Sequence, residues 1–345
     1  MIFVDGAPFS TLTSSSSQGT DMLVSLLEHP FLVSASSSLK AIPERKFSVS
    51  EESGPQRSAL SKWVYLFQQE YATVDPASVD FVGTDEATTC VGLVIRNPKN
   101  GMTSVGHMDS PNIVDLGLSQ MLSLVVHDSD TKLDVHLFGG FEDVSPKHAN
   151  SSTGSEGCEN SVGYSFPLCM KIVESLEKRQ EKFDIHTAFI LWHNTRRDSD
   201  GNGYPIFHGF VVETLKGSVI PATFDSTSRC PDELVRRIRV SASYEDPSWN
   251  GKLLETYDTQ TDRFKIAPCR WSLHQYHNAK TLQRHSDSYI LSMCSTSPSA
   301  EGADFVDNLR RQWDYLIEHP HWTKTFPMKQ PRIFERSIDG GWKSC

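Results

Sequence analysis

The chain has 345 residues, with 43 acidic against 33 basic side chains and a formal net charge of −10. That balance excludes the basic face of a nucleic-acid binder, and a content of 38% hydrophobic and 10% aromatic residues excludes wholesale disorder. The length suits one large domain or two small ones, and the surplus of acid reads as ordinary solubility.

No apolar run approaches the ~20 residues that span a bilayer. The start, Met1-Ile2-Phe3-Val4-Asp5, lacks the basic segment and apolar run of a secretory signal. The seven cysteines are odd in number, scattered and free of any CxxC pair, which argues against a zinc ribbon, a redox motif or a disulfide framework. A protein of the cytosol or nucleus, touching neither membrane nor nucleic acid, is expected.

In chain order, residues 10–20 are Ser/Thr-rich and read as a loop. Met22–Glu28 reads as a short helix capped by Asp21 and stopped by Pro30. Residues 34–60 read as a poorly ordered insert. Strands dominate next: an aromatic-rich run over Lys62–Ala72, a short strand over Asp80–Gly83, and Cys90–Arg96. The last ends in Asn97-Pro98-Lys99-Asn100-Gly101, a strong turn signal, and returns as Met102–His107. Val114–Val126 has helical spacing, Lys132–Phe138 alternates as a strand closed by Gly139-Gly140, and Tyr164–Phe183 reads as the best helix. Further expectations are a strand at Asp184–Trp192, hairpins over Pro205–Phe224 and Lys252–Ile266, and helices at Pro231–Val240 and Asp304–Glu318, the last stopped by Pro320. Strands and helices mix without strict βαβ alternation, so the fold class is α+β rather than doubly wound. The expected division is 1–61 as an N-terminal segment, 62–325 as the functional domain and 326–345 as a tail packed on it or extending from it.

The hairpin carries the chemistry. It sets Cys90 at the start of one strand beside His107 at the end of its antiparallel neighbour. A thiol, a base and a nearby hydroxyl are the minimum set for nucleophilic acyl chemistry, although most cysteines are simply small buried hydrophobes. N–H groups beside Thr89 and Cys90 can serve as an oxyanion hole. Thr84 can hold the histidine ring as a carboxylate would. Elsewhere, Asp198-Ser-Asp-Gly-Asn-Gly203 resembles the opening of a calcium loop, but its twelfth position is Gly209 where a bidentate glutamate belongs; a polar hairpin turn is the better reading. Gly139-Gly140 reads as a nest or a turn. His186, His193, His208, His274 and His277 show no ligand spacing, and no nucleotide loop appears. No metal or cofactor is expected.

Gly83-Thr-Asp-Glu-Ala-Thr-Thr-Cys90, Gly106-His-Met-Asp109, Leu133-Asp-Val-His-Leu-Phe-Gly-Gly140, Cys294-Ser-Thr-Ser-Pro-Ser-Ala-Glu301 and Asp304-Phe-Val306 together resemble the protein N-terminal asparagine amidohydrolases. The resemblance covers roughly residues 62 to 325; the insert-rich N-terminal part matches least and gives the chain a plant-like length. It implies a cysteine hydrolase that converts an exposed N-terminal asparagine to aspartate, which is then arginylated by a transferase and recognised by an N-degron ligase. The family nucleophile matches Cys90. The Thr–Cys–His order is also similar to chemotaxis-receptor deamidases and necrotizing-factor toxins. That similarity implies a mainly antiparallel β-sandwich flanked by helices, with His107 as base and Thr84 as orienter. Selecting a free α-ammonium calls for an acidic receiver, for which Asp85, Glu86, Asp109 and Glu142 are the candidates within reach of the motifs. Two rivals remain: a module that binds N-termini without chemistry, and a deamidase or transglutaminase acting on internal glutamine.

Overall fold

The computed structural model describes residues 1–10, 18–48, 61–128, 130–144, 163–337 and 341–345. Most of the Ser/Thr-rich loop expected at 10–20 and the second half of the insert expected at 34–60 lie outside the described residues, as does Cys158.

The fold is α+β. An eight-stranded sheet and a five-stranded sheet carry most of the strands, with a four-stranded sheet and a short two-stranded ribbon besides. The strand Val91–Arg96 explains the layering. Val91, Leu93 and Ile95 point to one side, into a core filled by the helices Gln18–Leu27, Pro30–Lys40, Val114–Leu122 and Ser165–Lys178. Val94 points to the other side, where it shares a second core with Val64, Leu66, Val82, Phe210 and Val212 of the five-stranded sheet. Side chains alternate across a strand, and both faces here are covered, so every residue of this strand is buried. Gly92 is needed at its place: a Cβ there would stand 2.1 Å from the Phe210 ring, which lies across the strand.

The expected hairpin is present. Val91–Arg96 pairs antiparallel with Thr103–Met108, with Gly92 opposite His107. On its other edge Val91–Arg96 pairs antiparallel with Lys132–Gly139. Lys132–Gly139 then runs parallel to Lys182–Phe189, the two joined across the 165–178 helix in one βαβ unit inside an otherwise mainly antiparallel arrangement. Ile2–Val4 extends this sheet by pairing parallel with Lys182–Phe189. The hairpin of Phe210–Glu213 with Ser218–Phe224 and that of Tyr257–Asp258 with Arg263–Ile266 are also found. Arg332–Arg336 and Trp342–Ser344, in the tail, complete the four-stranded sheet.

Three expectations are corrected. Pro30 does not merely stop a helix; it occupies the first turn of the next one, Pro30–Lys40, whose buried Leu32, Ser36 and Leu39 face the core. The helix expected over Tyr164–Phe183 ends at Lys178, and its last residues belong to the strand Lys182–Phe189. The helices Leu273–Leu282 and Asp287–Cys294 have no counterpart in the sequence reading. Among the described residues no single helix is long and apolar enough to cross a membrane.

The helix Glu233–Ser243 is tied to the sheet by charge. Glu70 accepts from Arg236 Nη2 at 2.5 Å and from Arg239 Nη2 at 3.5 Å, and all three side chains are fully buried. Arg236 also donates to the Tyr65 carbonyl (2.6 Å), and Glu70 accepts from the Phe67 N–H (2.9 Å). Removing one partner from such a cluster strands buried charge. Glu70→Gln, which keeps the shape, is therefore expected to lower unfolding free energy by about 3–5 kcal/mol, read as a shifted midpoint in urea denaturation.

Candidate active site

The residues singled out around the hairpin converge on one cavity of about 530 Å³, lined among others by Cys90, His107, Asp109, Glu86 and Thr89. The two large sheets touch at His107, on the wall of this cavity. Thr84 ends the strand Phe81–Thr84 of the five-stranded sheet, and His107 lies in the eight-stranded one. Thr84 Oγ1 is 2.7 Å from His107 Nδ1 and 2.7 Å from the Leu66 carbonyl oxygen. A carbonyl only accepts, so the threonine hydrogen points to Leu66 and its oxygen accepts from His107 Nδ1–H. The lone pair then sits on Nε2, which is buried and has no partner. Burial also pushes His107 down to about 4, against the pull of Asp109 and Glu86. The ring is a neutral base with its accepting nitrogen unoccupied.

Cys90 is 9% exposed and lines the same cavity. Burial, with Asp109 and Glu301 adding repulsion, raises its thiol well above the ordinary value, so thiol and imidazole rest as a neutral pair. The backbone around Cys90 is fixed from both sides. Its carbonyl accepts from the Gly140 N–H (2.7 Å). Gly139 adopts a φ of +110°, and a Cβ there would stand 2.6 Å from the Cys90 oxygen. The glycine pair therefore works as a tight turn holding the cysteine strand. Among the described residues no acceptor is found for the N–H groups of Thr89 and Cys90. Thr89 Oγ1 meets Thr296 Oγ1 at 3.0 Å, tying the cysteine turn to the 295–301 loop.

The four acidic candidates separate clearly. Asp109 sits at the cavity wall. Its Oδ2 accepts from Gln68 Nε2 (3.0 Å), Gln69 Nε2 (2.9 Å) and the Tyr244 hydroxyl, while Oδ1 is buried and unpartnered. Glu86 also lines the cavity, but Arg237 holds it with two bonds of 2.9 Å and Arg229 with one of 2.7 Å. Burial works upward on Glu86, yet the two guanidinium groups outweigh it and hold the carboxyl below its usual range. The other two correct the sequence reading. Asp85 turns away from the main cavity, accepting from the Tyr65 hydroxyl (2.6 Å), the Phe224 N–H (2.8 Å) and Arg229 (3.2 Å). Burial raises it to about 6. Glu142 pairs with Arg197 at 2.7 Å, beside the Thr195–Arg197 ribbon, and does not line the cavity. Neither faces the space that Cys90 and His107 face.

The structure adds residues that the sequence did not assign a part. Glu301 lines the cavity, bonds the Ser295 hydroxyl, and is raised by burial to about 7. Tyr244 and Gln69 brace Asp109, and Ser243 in turn donates to Gln69 Oε1 (2.6 Å). Glu301 stood in a motif block, so the signal was there without a role. Gln68 and Gln69 were hidden because Lys62–Ala72 read as one strand; they form the turn between Trp63–Leu66 and Glu70–Val74. The Asp198 carboxylate is taken up by its own turn, accepting from the N–H groups of Asp200 (3.0 Å) and Asn202 (2.9 Å), as a polar hairpin requires.

Residues 53–344 match the family model described as protein N-terminal asparagine amidohydrolase. A protein of that name from Arabidopsis thaliana is 57% identical over 351 residues, covering 100% of both chains. Those of pig and mouse are 28% and 27% identical over 286 residues, covering 81% of this chain and 83% of theirs. With the family model matched over most of the chain and a full-length relative at 57% identity, the chain belongs to the protein N-terminal asparagine amidohydrolase family.

Proposed function

We propose that this enzyme hydrolyses the side-chain amide of an N-terminal asparagine through a thioester on Cys90. The observation that carries the reading is the pairing of two buried, unpartnered atoms, His107 Nε2 and Asp109 Oδ1, at the cavity that Cys90 also lines. Buried polar atoms without partners are uncommon and costly. One suits a thiol proton and the other suits a cation.

His107 Nε2 takes the Cys90 proton as sulfur attacks the carboxamide carbon. The N–H groups of Thr89 and Cys90 receive the oxyanion, and removing one such donor costs ~10²–10³ in rate. The imidazolium returns the proton to the departing nitrogen, which leaves as ammonia. Water, deprotonated by the same Nε2, then cleaves the thioester to the aspartate carboxylate and restores the thiol. Asp109 Oδ1 holds the substrate α-ammonium, with Glu301 as the second negative pole. Burial is the main reason Cys90 stays protonated, and arrival of that cation offsets the repulsion that Asp109 and Glu301 add to it. Pocket size alone would discriminate glutamine by only ~10–200-fold; fixing both ammonium and carbonyl misplaces the longer side chain. The aspartate product is the substrate for arginylation, after which the arginylated terminus is recognised by an N-degron ligase. On the same reading the fold is that of the chemotaxis-receptor and necrotizing-factor deamidases, as the Thr–Cys–His order suggests.

Cys90→Ala is expected to abolish ammonia release from Asn-initiated peptides, and α-acetylation of the peptide to abolish it with the native enzyme, both followed by mass spectrometry beside Gln-initiated and internal-Gln peptides. Full turnover by the variant would take Cys90 out of the reaction, and peptide binding without ammonia release by the native protein would leave only a binding module. Equal reaction of the acetylated or internal-Gln peptide would point to the wider deamidase reading.

Thr84→Val should leave KM near its native value and lower kcat by up to ~10²–10⁴, the contribution of a well-placed base; Thr84→Ser should restore most of it.

The pH dependence has a definite sign. Glu301 is protonated below about 7, so kcat/KM should rise as pH passes upward through that value. At higher pH it should fall as the peptide amine loses its proton near ~7.7–8.0. Glu301→Gln should weaken activity and remove the rising limb; persistence of that limb would take Glu301 out of the receiver.

A further inference from the structure

We propose that a second cavity, beside the main one, is the passage by which ammonia leaves and the hydrolytic water arrives while the peptide is still tethered to Cys90. The proposal rests on the thioester reading and adds a route to it.

The need comes from the order of the chemistry. Once the thioester forms, the peptide is held covalently and its chain occupies the way it came in. Two small molecules still have to exchange. Ammonia must leave before its lone pair attacks the thioester carbon and regenerates the amide. Water must reach that same carbon, where the C–S bond breaks, the carboxylate forms and sulfur regains its proton through His107. A route that bypasses the bound peptide allows both steps without releasing it.

The structure contains such a space. A cavity of about 160 Å³ is lined by Asp85, Thr223, Arg229 and Gly302 among others, whereas one water takes up ~30 Å³ of the liquid. Glu86, Thr88, Glu301 and Phe305 line both this cavity and the main one. The two spaces therefore share a wall of side chains beside the cysteine turn, with Thr88 two positions before the nucleophile. On the other side Gly302 and Asp304 are exposed, which brings the second cavity to solvent.

The lining suits both travellers. A held water needs two to four polar partners. The Arg229 side chain is 6% exposed and its Nε is buried without a partner, a donor to spare. His208 Nε2 donates to the Ala300 carbonyl (2.9 Å), which in the neutral ring leaves Nδ1 to accept. Ammonia takes a proton from water near neutral pH. Asp85, Glu86, Glu301 and Asp304 outnumber Arg229 around the cavity, so the field there favours the cation that ammonia becomes. Asp85, which takes no part at the main cavity, has its place here.

The test compares two nucleophiles of one chemistry and different size. The full-length enzyme turns over an Asn-initiated peptide with hydroxylamine or N-benzylhydroxylamine present, and mass spectrometry reads the products and the intact protein. Nitrogen attack on the thioester carbon breaks the C–S bond, frees the thiol and leaves a hydroxamate. Relative to a model thioester in solution, hydroxylamine should capture about tenfold more than the bulky reagent. Gly302 accepts a plug, because a Cβ there would meet only the Asp304 carboxylate, at 3.1 Å. Gly302→Leu, and separately Thr223→Leu, should lower kcat by roughly tenfold, with the thioester accumulating on the protein. Equal capture of both reagents by the native enzyme places the entry at the open mouth and overturns the passage. Native turnover by the plugged variants does the same, and in both cases the thioester reading stands. Ammonia release with neither hydroxamate nor thioester in any sample overturns both. If the variants prove unstable, the reagent comparison on the native enzyme decides alone.

Discussion

One fully buried carboxylate holds this site in register. Glu70 binds Arg236 and Arg239, none of the three reaching solvent. A hydrophobic replacement of such a cluster is often as stable or more so, so its value here is positional. It fixes one face of the 233–243 helix against the turn that carries Gln68 and Gln69. The far end of the same helix then delivers Ser243 to Gln69 and Tyr244 to Asp109. Glu86, bound by Arg237 of that helix, is fixed by the same alignment. Two acidic groups of the cavity, Glu86 and Asp109, thus depend on a single helix lying at one rotation and one height.

A second constraint crosses between the sheets. Thr84 belongs to one and His107 to the other, and their hydrogen bond is buried. Side chains on a strand cannot swing far, so the imidazole direction is set by how the sheets pack rather than by a loop. The arrangement leaves His107 Nε2 and Asp109 Oδ1 without partners. Such atoms destabilise a fold by about 1–3 kcal/mol each. The buried aromatic and aliphatic core around Phe138, Phe189 and Phe210 is the counterweight that lets the fold carry them.

The sequence was readable where local rules act alone. The Asn97–Gly101 turn signal and the flanking apolar runs defined the hairpin, and with it the proximity of Cys90 and His107. It misled where a residue has two local meanings. Proline ends helices and also begins them, and Pro30 does the latter; the serines at 34 and 36–38 then masked a helix whose buried positions are spaced correctly. The helices 273–282 and 287–294 bury little more than Ala279 and Ile290, so no apolar stripe announced them. The acidic residues could not be sorted at all from spacing. Asp85 meets Arg229 and Glu142 meets Arg197, partners brought in by tertiary packing. Only the distinction between an engaged oxygen and an unengaged one singles out Asp109.

The neutral resting state of Cys90 also bears on how the protein withstands its surroundings. Oxidants and alkylating agents attack the thiolate, and burial beside Asp109 and Glu301 keeps this sulfur in the thiol form. A small anionic or neutral electrophile meets a shielded, unreactive atom. A cationic one that seats its ammonium on Asp109 would bring its own activation with it. On the proposed function, chemical quiescence and selectivity share one origin, and an affinity label for this cysteine would look like the amino terminus of a protein.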